Sequence, residues 1–282
     1  MVTKKYVPIV LVTGLLACAG CGSTKELSTI SADERFAAAK ALFDKQDYLE
    51  AITKFRSITL QFPGSAVADD AQYYLGESHF RRGEYLLAAY EYGELKRNMP
   101  ASPLVPEAAF RLGESYYMLS PRSNLDQEYT RKAIDELQSF VDYYPSNDHA
   151  PRAAEIIKEL NERLARKAYD TATLYITMEY YRAAVFYFDD VIEKYHDTQY
   201  APLAYLGKTQ ALMARRKYKD ALEEITHFLS LFPNSVLRSR ADALRRDIED
   251  DLQKGIPDDG KEPGAQALPG TEGRLSTSSG PP

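Results

Sequence analysis

Apolar residues recur along most of this chain at three- and four-residue steps, and in five places the steps fall into one frame. YLEAITKFRSITLQFPGS (Tyr48 to Ser65), YLLAAYEYGELKRNMPAS (Tyr85 to Ser102) and YKDALEEITHFLSLFPNS (Tyr218 to Ser235) share it. Each reads Y-x-x-A, an apolar residue four further on, another three beyond that, and a proline five later. YRAAVFYFDDVIEKYHDT (Tyr181 to Thr198) carries His196 in the proline slot, and TRKAIDELQSFVDYYPSN (Thr130 to Asn147) carries Thr130 in the tyrosine slot. Tyr48 and Tyr85 are 37 residues apart, and so are Tyr181 and Tyr218. An apolar stripe at this period predicts amphipathic helices, and self-similarity at a fixed period predicts a repeat array. Helix and short turn alternate from a capping box at Ser31-Ala32-Asp33-Glu34 to about Gln253, and no alternating run is long enough for a strand.

Two irregularities interrupt the frame. Gly113 and Ala133 are 20 residues apart where Gly76 and Ala88 are 12 apart, so eight extra residues within SPRSNLDQEY enlarge the hairpin loop of the third repeat. Such an insertion is expected to project from one face and bind. Thr130 and Tyr181 are 51 apart, and Ile157, Leu160, Leu164 and Ala168 keep helical spacing across the surplus. This predicts one helix from His149 to Met178, roughly 45 Å long, joining three repeats to two. A last helix from Ser235 to Gln253, with Leu237, Ala241, Leu244, Ile248 and Leu252 on one side, would cap the array. The Gly-, Pro- and Ser-rich residues from Gly255 onward predict disorder.

The frame resembles the tetratricopeptide repeat, lengthened by about three residues between units. The resemblance implies an all-α fold, a right-handed superhelical solenoid of about five such repeats. Ala51, Ala88, Ala133, Ala184 and Ala221 are small where a second helix meets the first, as are Ala39, Gly76 and Gly113 on the facing helix. Phe55, Tyr92, Leu137, Phe188 and Ile225, one turn after each alanine, would fill the space between repeats. Pro63, Pro100, Pro145 and Pro233 would end the second helices, because proline lacks an N–H and disfavours helix in the residue before it.

Ahead of the repeats, Lys4 and Lys5 precede an apolar run, Val7 to Ala17, of the length of a signal peptide and too short for a membrane span. The chain has only two cysteines, Cys18 and Cys21. Leu15-Leu16-Ala17 before Cys18 resembles the lipobox of bacterial lipoproteins, which would make Cys18 a lipid-bearing N-terminus. Ala19-Gly20 before Cys21 keep that residue as the alternative. A redox pair or a zinc site fits poorly, since both thiols lie in the leader and no further cysteine follows. The expected organisation is a signal peptide over 1–17, a lipidated tether over 18–30, repeats one to three over 31–147, the connecting helix, repeats four and five and the cap over 148–253, and a disordered tail over 254–282.

The net charge of −6 offers no basic field for phosphates, so nucleic acid is not an expected partner. With 21 Tyr, 11 Phe and no Trp, many half-buried amphipathic contacts are expected, as in an open, elongated fold. The four histidines are scattered, and no H-E-x-x-H, phosphate loop or G-x-S-x-G is present, so neither catalysis nor a metal or cofactor is expected. Arg81-Arg82 and Arg215-Arg216-Lys217 sit in tight turns, where positive charge complements a helix C-terminus. The aromatic run Tyr175, Tyr180, Tyr181, Phe186, Tyr187 and Phe188 exceeds what one repeat interior buries, and part of it reads as an exposed docking patch.

The combination of export signal, lipobox, repeats and long linking helix is similar to the BamD/ComL family of outer-membrane β-barrel assembly lipoproteins. LDQEYTRKAIDELQSFVDYYPSN, ELNERLARKAYDTATLYI and YYRAAVFYFDDVIEKYHDT carry the match. The resemblance implies a periplasmic scaffold held at the outer membrane by its lipid, which binds unfolded outer-membrane β-barrel proteins, BamA and other lipoproteins of the machinery. It places a substrate groove at Phe62, Pro63, Tyr73, Tyr74 and Arg81 and a partner-docking surface in repeats four and five, with Tyr180, Tyr181, Tyr187 and Arg215. Tyr187 stands where a relative uses a docking arginine, so that contact does not carry over. The rival reading is a lipoprotein scaffold for competence, meaning DNA uptake, or for cell-wall enzymes. Intact mass of the membrane-extracted protein is expected to show Cys18 as the first residue, carrying lipid on its sulfur and its amine; a mass starting at Cys21 selects the alternative.

Overall fold

The computed structural model describes residues 31–260. The expected signal peptide, the tether and both cysteines lie outside the described residues, as do residues 261–282. Among the described residues there are eleven helices and no strand. Repeat one is α1 (Ala32–Asp44) with α2 (Tyr48–Gln61), repeat two α3 (Ala68–Arg81) with α4 (Tyr85–Asn98), and repeat three α5 (Val105–Leu119) with α6 (Glu128–Tyr143). Then come α7 (Ala150–Thr177) and α8 (Tyr181–Lys194), α9 (Tyr200–Ala214) and α10 (Tyr218–Leu231), and α11 (Arg238–Gln253). Each helix packs on the next in sequence, and contacts skipping a helix are sparse, as a solenoid requires.

The start of α1 shows the capping box in full: the Ser31 hydroxyl accepts from the Glu34 amide at 3.2 Å, and the Glu34 carboxylate accepts from the Ser31 amide at 3.0 Å. The second helices of repeats one, two, four and five begin at Tyr48, Tyr85, Tyr181 and Tyr218, the first letters of the repeated frame. Their ends are as regular. Phe62, Met99, Tyr144 and Phe232, each before a proline, adopt φ of −133°, −130°, −129° and −122° with ψ of 50° to 56°. Tyr195, before His196, takes φ −129° and ψ 38°, so tertiary packing imposes nearly the same helix end without a proline.

Small residues set the distance within each pair. Ala39, Ala51, Ala88, Ala133, Ala184 and Ala221 are fully buried, as are Ala172 of α7 and Thr209 of α9 at the first-helix position. A Cβ on Gly76 would lie 2.9 Å from Tyr92, and one on Gly113 would lie 2.6 Å from Leu137, closer than real contacts allow. The residues one turn after the alanines, Phe55, Tyr92, Leu137, Phe188 and Ile225, are all buried. The core is therefore a row of clusters along the array, one beneath each pair, in place of a single centre.

The tight turn between the helices of a pair puts Gln46, Gly83, Glu179 and Arg216 at equivalent positions, with φ of 64°, 74°, 62° and 54°. Only repeat two uses the residue that tolerates this left-handed conformation without strain. The amide of the next residue closes each turn on a carbonyl five back, as in Glu84 to His79 and Tyr180 to Tyr175.

The long helix spans 28 residues, about 42 Å. Its first half, through Ala153, Ile156 and Leu160, completes the core of repeat three, and its second half, through Ala172 and Ile176, serves as the first helix of repeat four. The insertion, residues 120–127, does not stand away from the surface as expected. Arg163 of α7 donates to the Ser120 carbonyl at 3.0 Å, to its hydroxyl at 2.7 Å and to the Pro121 carbonyl at 3.2 Å, while Lys167 donates to the Leu125 carbonyl. Buried Gln127 donates to the carbonyls of Arg122 and Leu125 from within the loop. Loop carbonyls that would otherwise hold water are answered by two cations from one helix face, which holds the loop down.

The chain past α11 is a second departure. Gly255 turns it at φ 70°, and residues 256–260, expected to be disordered, lie against repeat five.

Two opposed substitutions test the packing. Gly113→Ala is expected to lower the unfolding free energy by about 1–3 kcal/mol, the range for overfilling a packed core. Glu179→Gly is expected to raise it by roughly 0.5 kcal/mol, relief of left-handed strain less the added freedom of the unfolded chain. Urea unfolding of the two variants checks both signs.

Candidate functional site

The face of α3 and α5 carries a polar network that runs between repeats two and three. Glu77 is only 4% exposed, yet its carboxylate is fully answered. It accepts from the Tyr92 hydroxyl at 2.8 Å and from Arg81 Nε at 2.8 Å, with Arg111 Nε 3.7 Å away. Arg111 reaches Glu114 at 2.7 Å and Glu107 at 3.4 Å, and its guanidinium lies over the Phe80 ring. Glu107 holds His149 of the α7 N-cap at 2.9 Å, and that imidazole stacks on Phe110 with centroids 4.4 Å apart. Tyr73 donates to Glu107 at 3.5 Å. Repeats two and three are thereby stitched across their shared face. Burial, and then the Glu77 charge, push the Tyr73 and Tyr92 hydroxyls well above the ordinary phenol range. Burial works against the Arg111 charge, but Glu77 and Glu114 outweigh it and raise its pKa.

A second network ties repeat one to repeat two. Arg56 of α2 donates to Glu91 at 3.2 Å, and Gln72 donates to the same carboxylate at 2.8 Å. Arg56 Nη2 also meets His79 Nε2 at 3.2 Å, and His79 Nδ1 meets Glu84 at 2.7 Å. A guanidinium only donates, so Nε2 accepts and the His79 proton sits on Nδ1, directed at Glu84. That hydrogen bond, with help from Arg82 and against burial, holds Glu84 below the usual carboxylate range.

Of the residues expected to form the substrate groove, the structure brings three together. Tyr74 stacks on Phe55 at 5.7 Å, Tyr73 meets Tyr74 edge-on at 5.5 Å, and Arg81 joins the same helix face through Glu77. Phe62 and Pro63 stand in the α2–α3 turn, where Arg35 lies over the Phe62 ring at 5.2 Å. Arg81 is at the opposite end of α3, about 20 Å along the axis from that helix's start. Glu77, Glu107, Arg111 and Glu114 are not among the residues expected from the sequence. A signal was present: LGES occurs at Leu75–Ser78 and again at Leu112–Ser115, 37 residues on, placing two acids on Arg111.

In the second half, the end of α7 and the start of α8 present an aromatic surface. Tyr175 stacks on Tyr187 at 5.3 Å, Tyr180 meets Tyr175 at 6.4 Å, and Phe186 meets Tyr187 edge-on at 5.5 Å. Around them Leu174, Met178 and Phe186 are 57%, 50% and 67% exposed. Burial, then Tyr175, raises the Tyr187 hydroxyl. Tyr181 is half-buried in the core of repeat four, so it supports this surface from beneath. Arg215 caps α9 in the equivalent turn of the next repeat. Between these regions, the insertion, α7 and the start of α9 enclose a polar cleft of about 710 Å³, where Glu162 accepts from the Gln199 amide at 3.1 Å.

The family model describing outer membrane lipoproteins, YfiO, matches residues 29–215, from before α1 to the cap of α9. The chain belongs to this family. The chain is also similar to the outer membrane protein assembly factor BamD of Rickettsia prowazekii, to which it is 25% identical over 251 residues, 88% of this chain and the whole of that protein. Among solved structures, the TPR2AB domain of yeast Sti1 in its pHSP90 complex aligns at TM-score 0.38 and 17% identity, over 77% of this chain and 98% of that one. A tetratricopeptide repeat protein from Parabacteroides merdae aligns at TM-score 0.34 and 16% identity, over 82% and 80%. The family match covers both polar networks and the aromatic surface. No helix among the described residues is long and apolar enough to cross a membrane.

The buried tyrosines give a pH test. A phenol held above its unfolded value contributes stability that is complete below about pH 10, the ordinary phenol value, and lost as pH rises beyond it. Tyr73→Phe together with Tyr92→Phe is expected to flatten the fall in unfolding free energy between pH 10 and pH 12, read by denaturant titration at each pH. An unchanged slope removes these two residues as its source.

Proposed function

We propose that this protein is a lipid-anchored scaffold on the periplasmic face of the outer membrane that serves outer-membrane protein assembly, binding unfolded β-barrel proteins with its N-terminal repeats and BamA with repeats four and five. The observation that supports this best is the match to an assembly factor over that protein's whole length. The mechanism needs no chemistry on a substrate. A repeat array offers a long surface on which an extended peptide adds contacts cheaply, and an anchor confines the search to the membrane plane. Each buried acyl CH₂ contributes about 0.8 kcal/mol, so several chains hold a protein at the membrane almost permanently.

The two halves suit different tasks. The N-terminal half offers half-buried tyrosines beside charged groups that are already paired, a surface able to exchange weak contacts with many sequences. The α7–α8 surface offers exposed apolar side chains around stacked tyrosines, the composition of an interface centre, and Arg215 in the next repeat adds a cation at its margin. The lipid attachment at Cys18, or at Cys21, completes the reading.

Depletion of the protein is expected to lower the outer-membrane content of β-barrel proteins; unchanged levels sink the assembly role. Replacing Leu174, Met178 and Phe186 by serine is expected to weaken capture of the BamA periplasmic region on the order of a hundredfold, as loss of several interface anchors does, with little change in unfolding free energy because all three are exposed. Equal capture by both proteins moves the docking surface elsewhere.

A further inference from the structure

Every second helix of the array starts with backbone N–H groups that need acceptors. In α2 the need is met locally, by Asp47 accepting from the Glu50 amide. In α10 the N-cap residue is Lys217, which makes no side-chain cap and puts positive charge at the positive end of the helix dipole. The acceptor comes from beyond α11. Asp258 Oδ1 accepts from the Tyr218 amide at 2.7 Å, and Oδ2 lies 3.7 Å from Lys219 Nζ. Gly260 donates to the Arg216 carbonyl at 3.5 Å, and Ile256 packs on the apolar cluster that contains Tyr218 and Leu252. A backbone amide, a lysine, a backbone carbonyl and an apolar socket, all on one edge of repeat five, are thus filled by Ile-Pro-Asp-Asp-Gly. That edge bears Arg215, Arg216, Lys217 and Lys219, and Asp220, which pairs with Lys217. An occupant with two carboxylates matches its charge.

We propose that Ile256–Gly260 is an intramolecular strap seated in a receptor for acidic, turn-forming peptides on the basic edge of repeat five, and that an acidic segment of a docking partner competes with it. The proposal rests on the reading that repeats four and five dock a partner, and it names the chemistry of what they accept. The strap is tethered by only a few residues to the end of α11, so it reaches its seat at an effective concentration in the millimolar range. A weak peptide is therefore excluded, while a partner with further contacts on the α7–α8 surface displaces the strap.

The test uses the full chain and a blocked peptide with the sequence of residues 255–261, acetyl-GIPDDGK-amide. Ile256→Ser with Asp258→Ala unseats the strap; this variant is expected to bind the peptide saturably at millimolar concentration with a shift of the Tyr218 amide resonance. The wild-type chain is expected to bind it on the order of tenfold more weakly. A peptide with asparagine at both acidic positions is expected to bind neither. Equal binding to wild type and variant, or no binding to the variant, overturns the proposal. Asp258→Ala alone keeps the apolar anchor and guards against loss of fold: its Tyr218 amide is expected to exchange at least several-fold faster with solvent, and unchanged exchange also overturns the strap. If the BamA periplasmic region binds neither chain, the docking role falls, while the peptide result still decides the strap.

Discussion

The distance between the two helices of a pair governs everything else in this array. Where Ala39 meets Ala51, Gly76 meets Ala88 and Gly113 meets Ala133, little or no side chain separates the backbones, and the large residue one turn later drops into the space this creates. Tyr92 can bury its ring and still reach Glu77 only because Gly76 lacks a Cβ. The buried carboxylate, its two arginines and the link to His149 follow from that one close approach. A methyl group at Gly113 would displace Leu137, and with it the cluster that α7 covers.

Stability in such a fold is local, and so is its control. Each cluster touches only its neighbours, and the polar networks act as ties between adjacent units: Arg56, His79 and Glu91 between one and two, Arg111 and Glu107 between two and three, and Lys208, held by Asp189 and Glu224, within the last two. Lys208 keeps its charge despite burial because both carboxylates raise its pKa. Buried charges of this kind act more as specifiers of register than as sources of stability, since desolvation offsets much of their attraction.

Much of this was legible in the sequence where the signal is short-range. The repeated frame marks the first residue of four helices, the capping box marks α1, and apolar spacing from Ile157 to Ala168 marks α7, whose caps are His149 and Met178 as expected. The features that escaped depend on residues far apart in the chain. Arg163 and the insertion are 42 to 43 positions apart, and Asp258 and Tyr218 are 40 apart. No local pattern announces either contact, because a lysine or arginine on a helix face and an acid in a Gly/Pro-rich stretch each read as solvated. Of the residues expected in a substrate groove, Tyr73, Tyr74 and Arg81 share one helix, whereas Phe62 and Pro63 belong to the turn before that helix begins.

The continuity of α7 bears on how the chain is made. Its first turns finish the core of repeat three and its last turns begin repeat four, with no residue between the two that leaves the helix. As the polypeptide emerges from its N-terminus, repeats one and two can stack at once, while Leu137 and Phe140 stay uncovered until Ile156 and Leu160 have appeared. The same helix then carries Ala172 and Ile176 into the core of repeat four. Until that single element is made, neither the core of repeat three nor that of repeat four can close, so apolar surface on both sides of it depends on one stretch of chain.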